Sequence, residues 1–348
     1  MVCLYSRNGN EKGSGFILEQ MIHTDKIARY QDVERREQYS SVRTNSIMNS
    51  NGKKVTGESV MEAFFAACAA VAVFAVISMT LYLLLNGLPG ISKAGWKEIL
   101  FQKVWKPTAA EPSYGILNII LTSLVGTLFA IIIGVPTGIL TAVFLAEISS
   151  KRTAGLVKPA VELLSGIPSV IYGLLGLYLL NPLMYRLERK LFEGSENHQF
   201  TGGANLLSAI LVLAIMILPT VINVSETALH AVSPGIREAS LGLGASHIQT
   251  VFRAVLPAAK SGLFTAIVLG VGKALGEAMA IMMVSGNSVN EPLPFHSVRF
   301  LTTALVSEMA YAQGTHRQIL FTIGLVLFVF IMLVNLVLNW ILRKTTEK

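Results

Sequence analysis

Two residues of opposite charge interrupt a long apolar stretch in the last third of the chain. Lys273 and Glu277 lie within Gly262–Ser285, where most other side chains are small or aliphatic. Ionisable groups inside a bilayer cost about 2.5–3.5 kcal/mol each by insertion scales, and they usually face a cavity or a partner. A spacing of four residues predicts one helical face, with the carboxylate one turn from the ammonium. The pair predicts either a polar path for an anion, whose attraction the carboxylate moderates, or a structural ion pair.

The composition indicates that this pair lies in a membrane protein. Hydrophobic residues make up 52% of the 348 residues and charged residues 14%, against about 25% in an ordinary soluble domain. We expect an all-α integral membrane protein with six transmembrane helices, because six stretches are long and apolar enough to cross a bilayer. These stretches are Ala63–Leu85, Ile116–Ala146, Pro159–Leu180, Leu206–Val224, Gly262–Ser285 and Ile319–Leu342.

The basic residues predict the orientation of these helices. They are concentrated in the N-terminal segment, in the loops after the second and fourth spans and in the C-terminal tail, so both termini are expected in the cytoplasm. The net charge of +7 follows from this topology and does not indicate nucleic-acid binding. Residues 1–57 are polar and predict a partly disordered cytoplasmic extension, which precedes a six-helix membrane domain over residues 58–346.

The sequence lacks the signatures of an enzyme. It contains no Gly-x-x-x-x-Gly-Lys-Ser/Thr phosphate loop, nucleophile elbow or zinc motif, so we expect a transport subunit without its own ATPase. Cys3 and Cys68 are not placed to form a structural disulfide, and the histidines show no metal-ligand spacing. No catalytic residue, metal or bound cofactor is predicted.

A polar loop at residues 233–257 separates the fourth and fifth predicted spans. Ser233 and Pro234 predict a helix start with a side-chain cap, and Gly244 follows where the helix is expected to break. Ser246 can cap a second short helix, which Pro257 limits. The pattern favours a helix–turn–helix that inserts into a groove on a partner protein, with an ordinary amphipathic connector as the alternative.

This loop resembles the EAA loop of bacterial ABC-importer permeases, which seats on a separate ATPase. The matching positions include Glu238, Ala239, Gly244, Leu256 and Pro257. The resemblance implies that these residues couple the chain to its ATPase. It also implies that Glu238 caps or anchors its helix.

Two further segments resemble the phosphate-specific (Pst) importer permeases, in particular the PstC type. The run KALGEAMAIMMVSGN places Lys273 and Glu277 where that family has a basic and an acidic residue implicated in phosphate translocation; the family commonly has Arg at the first position. The run ELLSGIPSVIYG contains Ser165 and Ser169 beside Gly166 and Pro168, which disrupt the backbone ladder. The two hydroxyls line the path or pack at a helix interface.

The resemblance covers about residues 60–345 and implies the type I, MetI-like permease fold. It implies a phosphate-importing complex in the bacterial inner membrane, with a PstA-type permease, two copies of an ATP-binding subunit and an extracytoplasmic phosphate-binding protein. Membrane lipid is a further partner, nucleic acid is not, and ATP is used by the partner ATPase. Two alternatives stay open: a permease for another oxyanion such as sulfate or molybdate, and an ion-coupled secondary transporter or receptor subunit with Lys273 and Glu277 as a proton relay.

Overall fold

The structure, a computed structural model, describes residues 56–195 and 198–346, so the predicted extension at residues 1–57 lies almost entirely outside it. The chain divides into two compact units within the first helix: the first unit ends at Ile77 and the second unit begins at Ser78. The helices are α1 (Thr56–Ala94), α2 (Trp96–Phe101), α3 (Leu117–Val143), α4 (Lys151–Gly166), α5 (Ser169–Leu175), α6 (Asn181–Leu191), α7 (Leu206–His230), α8 (Pro234–Gly242), α9 (His247–Thr250), α10 (Leu256–Ala258), α11 (Lys260–Gly276), α12 (Met279–Val284), α13 (Leu301–Glu308) and α14 (Gly314–Thr346).

Three short π-helical segments, one small hairpin and one isolated parallel bridge between Gly286 and Val298 complete the secondary structure of the described residues. The π-helical segments extend or join α-helices at Phe144–Ile148, Gly176–Leu180 and Val251–Val255. Strands β1 (Trp105–Lys106) and β2 (Ser113–Tyr114) pair antiparallel, with Trp105 opposite Tyr114.

The described residues contain enough long apolar helices for the predicted six spans. Five segments qualify singly, and the bent pair His247–Ala258 and Lys260–Gly276 makes a sixth when it is counted as one span. The prediction of an all-α membrane protein is therefore confirmed. The five single segments are Met61–Ala94, Leu117–Ile148, Ser169–Leu191, Leu206–His230 and Gly314–Lys344.

Helices α3 and α7 pack closely at the centre of the second unit. A Cβ atom added to Gly134 would lie 2.6 Å from Cδ1 of Ile217, and one added to Gly138 would lie 2.8 Å from Cγ1 of Val221. Small residues allow two membrane helices to approach in this way, where burial of apolar surface from water contributes little. Large apolar side chains on α3 remain exposed, as expected for a surface in lipid: Leu121, Leu124, Leu128 and Ile132.

The third predicted span has different bounds in the structure. Helix α4 ends at Gly166, the backbone is extended at Ile167 and Pro168, and a new helical segment starts at Ser169 and continues to Leu191. Proline has no N–H to donate and disfavours helical geometry at the residue before it. The predicted disruption at Pro168 is therefore present within the range Pro159–Leu180, but the span itself starts only after it, at Ser169.

The fifth predicted span is not one continuous helix. Helix α11 ends at Gly276, Glu277 is extended with φ −76° and ψ 129°, and α12 begins at Met279. At its other end α11 is bent by 71° from His247–Ala258. The expectation of an uninterrupted Gly262–Ser285 helix was wrong, because hydropathy stays high on both sides of the break.

Three buried apolar clusters hold the second unit together. The central one joins α3, α7, α11 and α12, and a second joins the ends of α3 and α7 to residues 251–263. The third cluster includes Ile116, Leu301 and Ile319. Beside this third cluster, Trp105 Nε1 donates a hydrogen bond to Glu308 at 3.1 Å, and His316 Nε2 lies 2.8 Å from the other carboxylate oxygen.

Candidate translocation path and coupling surface

Lys273 lies on α11, next to the break that follows this helix. Its side chain is half-buried, and Nζ donates a hydrogen bond to Oγ1 of Thr220 on α7 at 3.4 Å. Within the described residues Lys273 makes no ion pair, and Thr220 is the polar side chain that holds it. Among the described residues the Lys273 side chain is therefore held by a hydroxyl group and not by a carboxylate.

Glu277 does not share a helical face with Lys273, because α11 ends before it. Its Oε1 atom accepts a hydrogen bond from the backbone N–H of Ala280 at 3.0 Å, and Thr302 Oγ1 donates to its carbonyl oxygen at 2.7 Å. The carboxylate therefore holds the first turn of α12, where a negative charge is favourable. The expected i, i+4 pair was wrong, although both side chains flank the same break.

Ser165 and Ser169 lie on the two sides of the break between α4 and α5. Ser165 is exposed and Ser169 is half-buried, and in the described residues neither hydroxyl contacts Lys273 or Glu277 through a hydrogen bond. The break is closed by Tyr172, whose hydroxyl donates to the carbonyl oxygen of Leu164 at 2.6 Å. The two serines therefore stay candidates for the path, without a contact that joins them to Lys273.

The helical segments that follow the two breaks pack against each other. A Cβ atom on Gly173 of α5 would lie 2.9 Å from Cα of Ala280 on α12, and one on Gly176 would lie 2.5 Å from Cγ1 of Val284. The structure thus brings the third and fifth spans together beside their breaks. Interrupted helices at a shared depth are the arrangement that transporters use to place backbone polar groups at a substrate site.

The predicted helix–turn–helix is present between α7 and α11. Helix α8 ends at Gly242, Gly244 has φ +86°, and Ser246 and Gln249 form a capping box at the start of α9. A positive φ favours glycine, which has no Cβ atom. Ser233 begins α8, but its side chain does not form the predicted cap hydrogen bond.

The coupling surface, which we define as the exposed face of residues 233–257, presents both charge and apolar side chains. Glu238, Ala239, Gly244 and Pro257 are exposed, and Leu256 is half-buried. Leu243 at the turn is 90% exposed, which is unusual for a side chain of this size unless a partner covers it. Other large apolar residues are exposed nearby: Ile236, Leu241, Ile248 and Phe252.

Arg237, and not Glu238 as expected, anchors helix α8. In the described residues Glu238 makes no side-chain hydrogen bond, whereas Arg237 donates to both carboxylate oxygens of Glu147, at 2.6 and 3.3 Å. Its guanidinium also donates to the carbonyl oxygens of Leu229 and Val232. The roles of Arg237, Glu147 and Thr220 were not predicted from the sequence. Each forms a contact with a residue far away in the chain, and no local sequence pattern indicates such a contact.

Solved structures of ABC transporters share this arrangement of helices. The chain is similar to a subunit of a bacterial alginate ABC transporter, crystallised in complex with an alginate pentasaccharide-bound periplasmic protein. The TM-score is 0.58 at 17% sequence identity, over 85% of this chain and 99% of that one. The fold is therefore that of an ABC-importer permease.

Sequence comparison identifies the family. The family model described as "binding-protein-dependent transport system inner membrane component" matches residues 134–347, and the chain belongs to this family. It is 36% identical to the probable ABC transporter permease protein YqgH of Bacillus subtilis, over 77% of this chain and 87% of that protein. It is 31% identical to the phosphate transport system permease protein PstC of Haemophilus influenzae, over 86% and 99% of the two chains, and it is a permease of the PstC type.

Proposed function

We propose that this chain is the transmembrane permease subunit of an ATP-driven importer of inorganic phosphate. The observation that carries the proposal is Lys273, whose ammonium is held between α7 and α11 by the Thr220 hydroxyl and forms no ion pair within the described residues. A cation within an apolar span costs free energy, and it is expected where an anion passes. The relatives named phosphate transport permeases support phosphate as that anion.

The path contains Lys273 and Glu277, with Ser165 and Ser169 at the neighbouring break. Lys273 attracts the anion, and the nearby Glu277 carboxylate keeps that attraction weak enough for release. Serine hydroxyls donate hydrogen bonds to phosphate oxygens as the anion loses water. The two breaks give the path backbone groups outside helical hydrogen bonding.

Transport is driven from the coupling surface. This surface docks on an ATP-binding subunit, which is a separate chain and hydrolyses ATP. The residues that make the contact are Glu238, Ala239, Gly244, Leu256 and Pro257. The complete transporter contains a PstA-type permease, two copies of the ATP-binding subunit and an extracytoplasmic phosphate-binding protein. Closure of the ATPase pair on ATP moves the coupling helices, and the path opens alternately to the two sides of the membrane.

The orientation follows from the same assignment. The coupling surface faces the cytoplasm, where ATP is present, and both termini lie on that side. Residues 58–346 form the permease domain, preceded by a cytoplasmic extension. The basic residues of the N-terminal segment and the C-terminal tail agree with this orientation.

The test is uptake of radiolabelled phosphate by cells that carry the complete transporter, with sulfate as competitor. We compare the native chain with Lys273→Arg and Lys273→Ala, after checking that each variant inserts in the membrane. We expect uptake to persist with Arg, to be lost with Ala and to resist sulfate. Uptake that ignores both substitutions would remove Lys273 from the path, and inhibition by sulfate would assign another oxyanion.

A further inference from the structure

One arginine joins the coupling surface to two membrane helices. Arg237 lies on α8, and Glu147 lies on the π-helical segment that ends the α3 span. The guanidinium donates through Nη2 to Oε1 of Glu147 at 2.6 Å and through Nε to Oε2 at 3.3 Å. The side chain of Glu147 is only 7% exposed and that of Arg237 is 24% exposed, so water screens this pair weakly.

The same guanidinium also caps the end of α7. Nη1 of Arg237 donates to the carbonyl oxygen of Val232 at 2.7 Å, and Nη2 donates to that of Leu229 at 2.9 Å. The last carbonyls of a helix have no partner within the helix and carry partial negative charge, so a cation is favourable there. One side chain therefore binds both the π-helical segment that follows α3 and the end of α7.

Helix α8 depends on polar contacts because it buries no residue of its own. Besides the four hydrogen bonds of Arg237, Ser240 on α8 shares a hydrogen bond of 2.9 Å with Thr250, which lies at the end of α9. Its exposed face carries Glu238 and Leu241. A force on that face reaches α3 and α7 through the Arg237 side chain and the chain connection at Ala231–Ser233.

We propose that Arg237, together with Glu147, is a positioning pair that transmits movement of the coupling surface to α3 and α7. The inference rests on the proposed function and adds to it how motion reaches the path, since Thr220 on α7 holds Lys273. The planar guanidinium of Arg237 has enough N–H groups to donate four hydrogen bonds to Glu147, Leu229 and Val232 at once. A lysine ammonium cannot reproduce that geometry. Docking itself is left to the exposed residues on the other face of α8.

The test separates docking from transmission in the complete transporter, purified and reconstituted in liposomes. We compare Arg237→Gln, Glu147→Gln and the double variant with the native chain. The matched control is Arg152→Gln on α4, an exposed arginine with no hydrogen bond or ion pair to a described residue. Three quantities are measured: the amount of ATPase that co-purifies, basal ATP hydrolysis, and the stimulation of hydrolysis by the phosphate-loaded binding protein.

We expect each single variant to keep the ATPase and basal hydrolysis but to lose stimulation and uptake. The double variant should be no worse than either single one, because the two residues act as a unit. Arg152→Gln should behave as the native chain does. If Arg237→Gln fails to reach the membrane, Glu147→Gln carries the test, because it removes the negative charge of the pair while its amide oxygen still accepts one hydrogen bond from the guanidinium and supports folding.

Full stimulation in the single variants would overturn the inference, and so would loss of the co-purifying ATPase, which would assign Arg237 to docking. Failure of the proposed function gives a different result. In that case the native transporter is not stimulated by phosphate, and the comparison is repeated with the anion that does stimulate it.

Discussion

The ammonium nitrogen of Lys273 and the hydroxyl oxygen of Thr220 lie 3.4 Å apart, across the interface between α11 and α7. In this contact the charged ammonium donates to a neutral hydroxyl on the neighbouring helix, so the hydrogen bond holds the side chain without adding a negative charge beside it. It also connects the proposed path to the helix whose end Arg237 caps. Movement of α7 relative to α11 would therefore change the position of the ammonium.

Replacing Thr220 with Val should lower phosphate uptake. Hydrogen bonds to charged groups contribute about 1.5–3 kcal/mol, so loss of this long one is expected to reduce the uptake rate roughly tenfold. The measurement is initial uptake at saturating phosphate, corrected for the amount of assembled transporter. Thr227→Val is the control, because Thr227 is exposed on the same helix and donates only to the carbonyl of Asn223. Equal uptake by the two variants would exclude a role for the Thr220 contact.

Reversing the charge of Glu238 should release the ATPase. Glu238 is exposed on α8 and lacks a side-chain hydrogen bond within the described residues, so the substitution leaves the fold of the loop intact. We expect Glu238→Lys to insert normally and to lose the ATPase on co-purification. Glu98→Lys, on the exposed surface of α2, makes the same charge change away from the coupling surface and should keep it. Retention by both variants would contradict the docking assignment.

Glu308→Gln should destabilise the chain strongly. The Glu308 side chain is 6% exposed, forms an ion pair with Arg299 and binds Trp105 and His316. Removing one partner of a buried ion pair costs about 3–5 kcal/mol, because it leaves the other charge uncompensated. The measurement is the melting temperature of the complex in detergent.

The control for Glu308 is Glu291→Gln. Glu291 pairs with Lys103 at 2.8 Å, but both side chains are 58% exposed, and exposed pairs contribute little. The melting temperature should therefore stay near that of the native chain. A similar fall in melting temperature for both variants would show that the burial of Glu308 does not determine how much its ion pair stabilises the chain.

The helix–turn–helix at residues 233–257 and the membrane class could be predicted because their signals are local. Gly244, Ser246 and Gln249 specify the turn and the capping box within six residues, and long apolar runs specify the spans. The break at Glu277 was missed because its neighbours are as apolar as those in an unbroken helix. Arg237–Glu147 and Trp105–Glu308 were missed because the partners are 90 and 203 residues apart, and their contact depends on packing of the whole bundle.

The contact between Lys103 and Glu291 should open in acid. The hydrogen bond from Lys103, followed by its positive charge, holds the pKa of the Glu291 carboxyl below its usual value. Because the pKa of Glu291 is lowered in the folded state, the contact is stabilised at pH values above about 4.3, the usual pKa of glutamate. This stabilisation is lost as the pH falls through the folded-state pKa. The contact is therefore expected to persist at neutral pH.

Spin-label distances can follow this opening. Labels at Val104→Cys and Leu293→Cys, both exposed positions beside the pair, are introduced after replacement of Cys3 and Cys68. The distance distribution should be narrow at neutral pH and broaden in acid. In Lys103→Gln it should be broad at both pH values, and a narrow distribution in that variant would assign the contact to other groups.

Close packing of α3 on α7 predicts that Gly134 tolerates no side chain. A Cβ atom there would meet Cδ1 of Ile217 at 2.6 Å and the carbonyl oxygen of Ala214 at 3.0 Å, whereas one on Gly155 of α4 meets nothing within 4 Å. In a helix, alanine is more favourable than glycine by about 0.8–1.0 kcal/mol, and this gain is the same at both positions. A difference in stability between the two variants therefore reports packing. Overpacking costs about 1–3 kcal/mol. Gly134→Ala should therefore melt at a lower temperature than Gly155→Ala, and equal melting temperatures would mean that α3 and α7 separate easily enough to admit a methyl group.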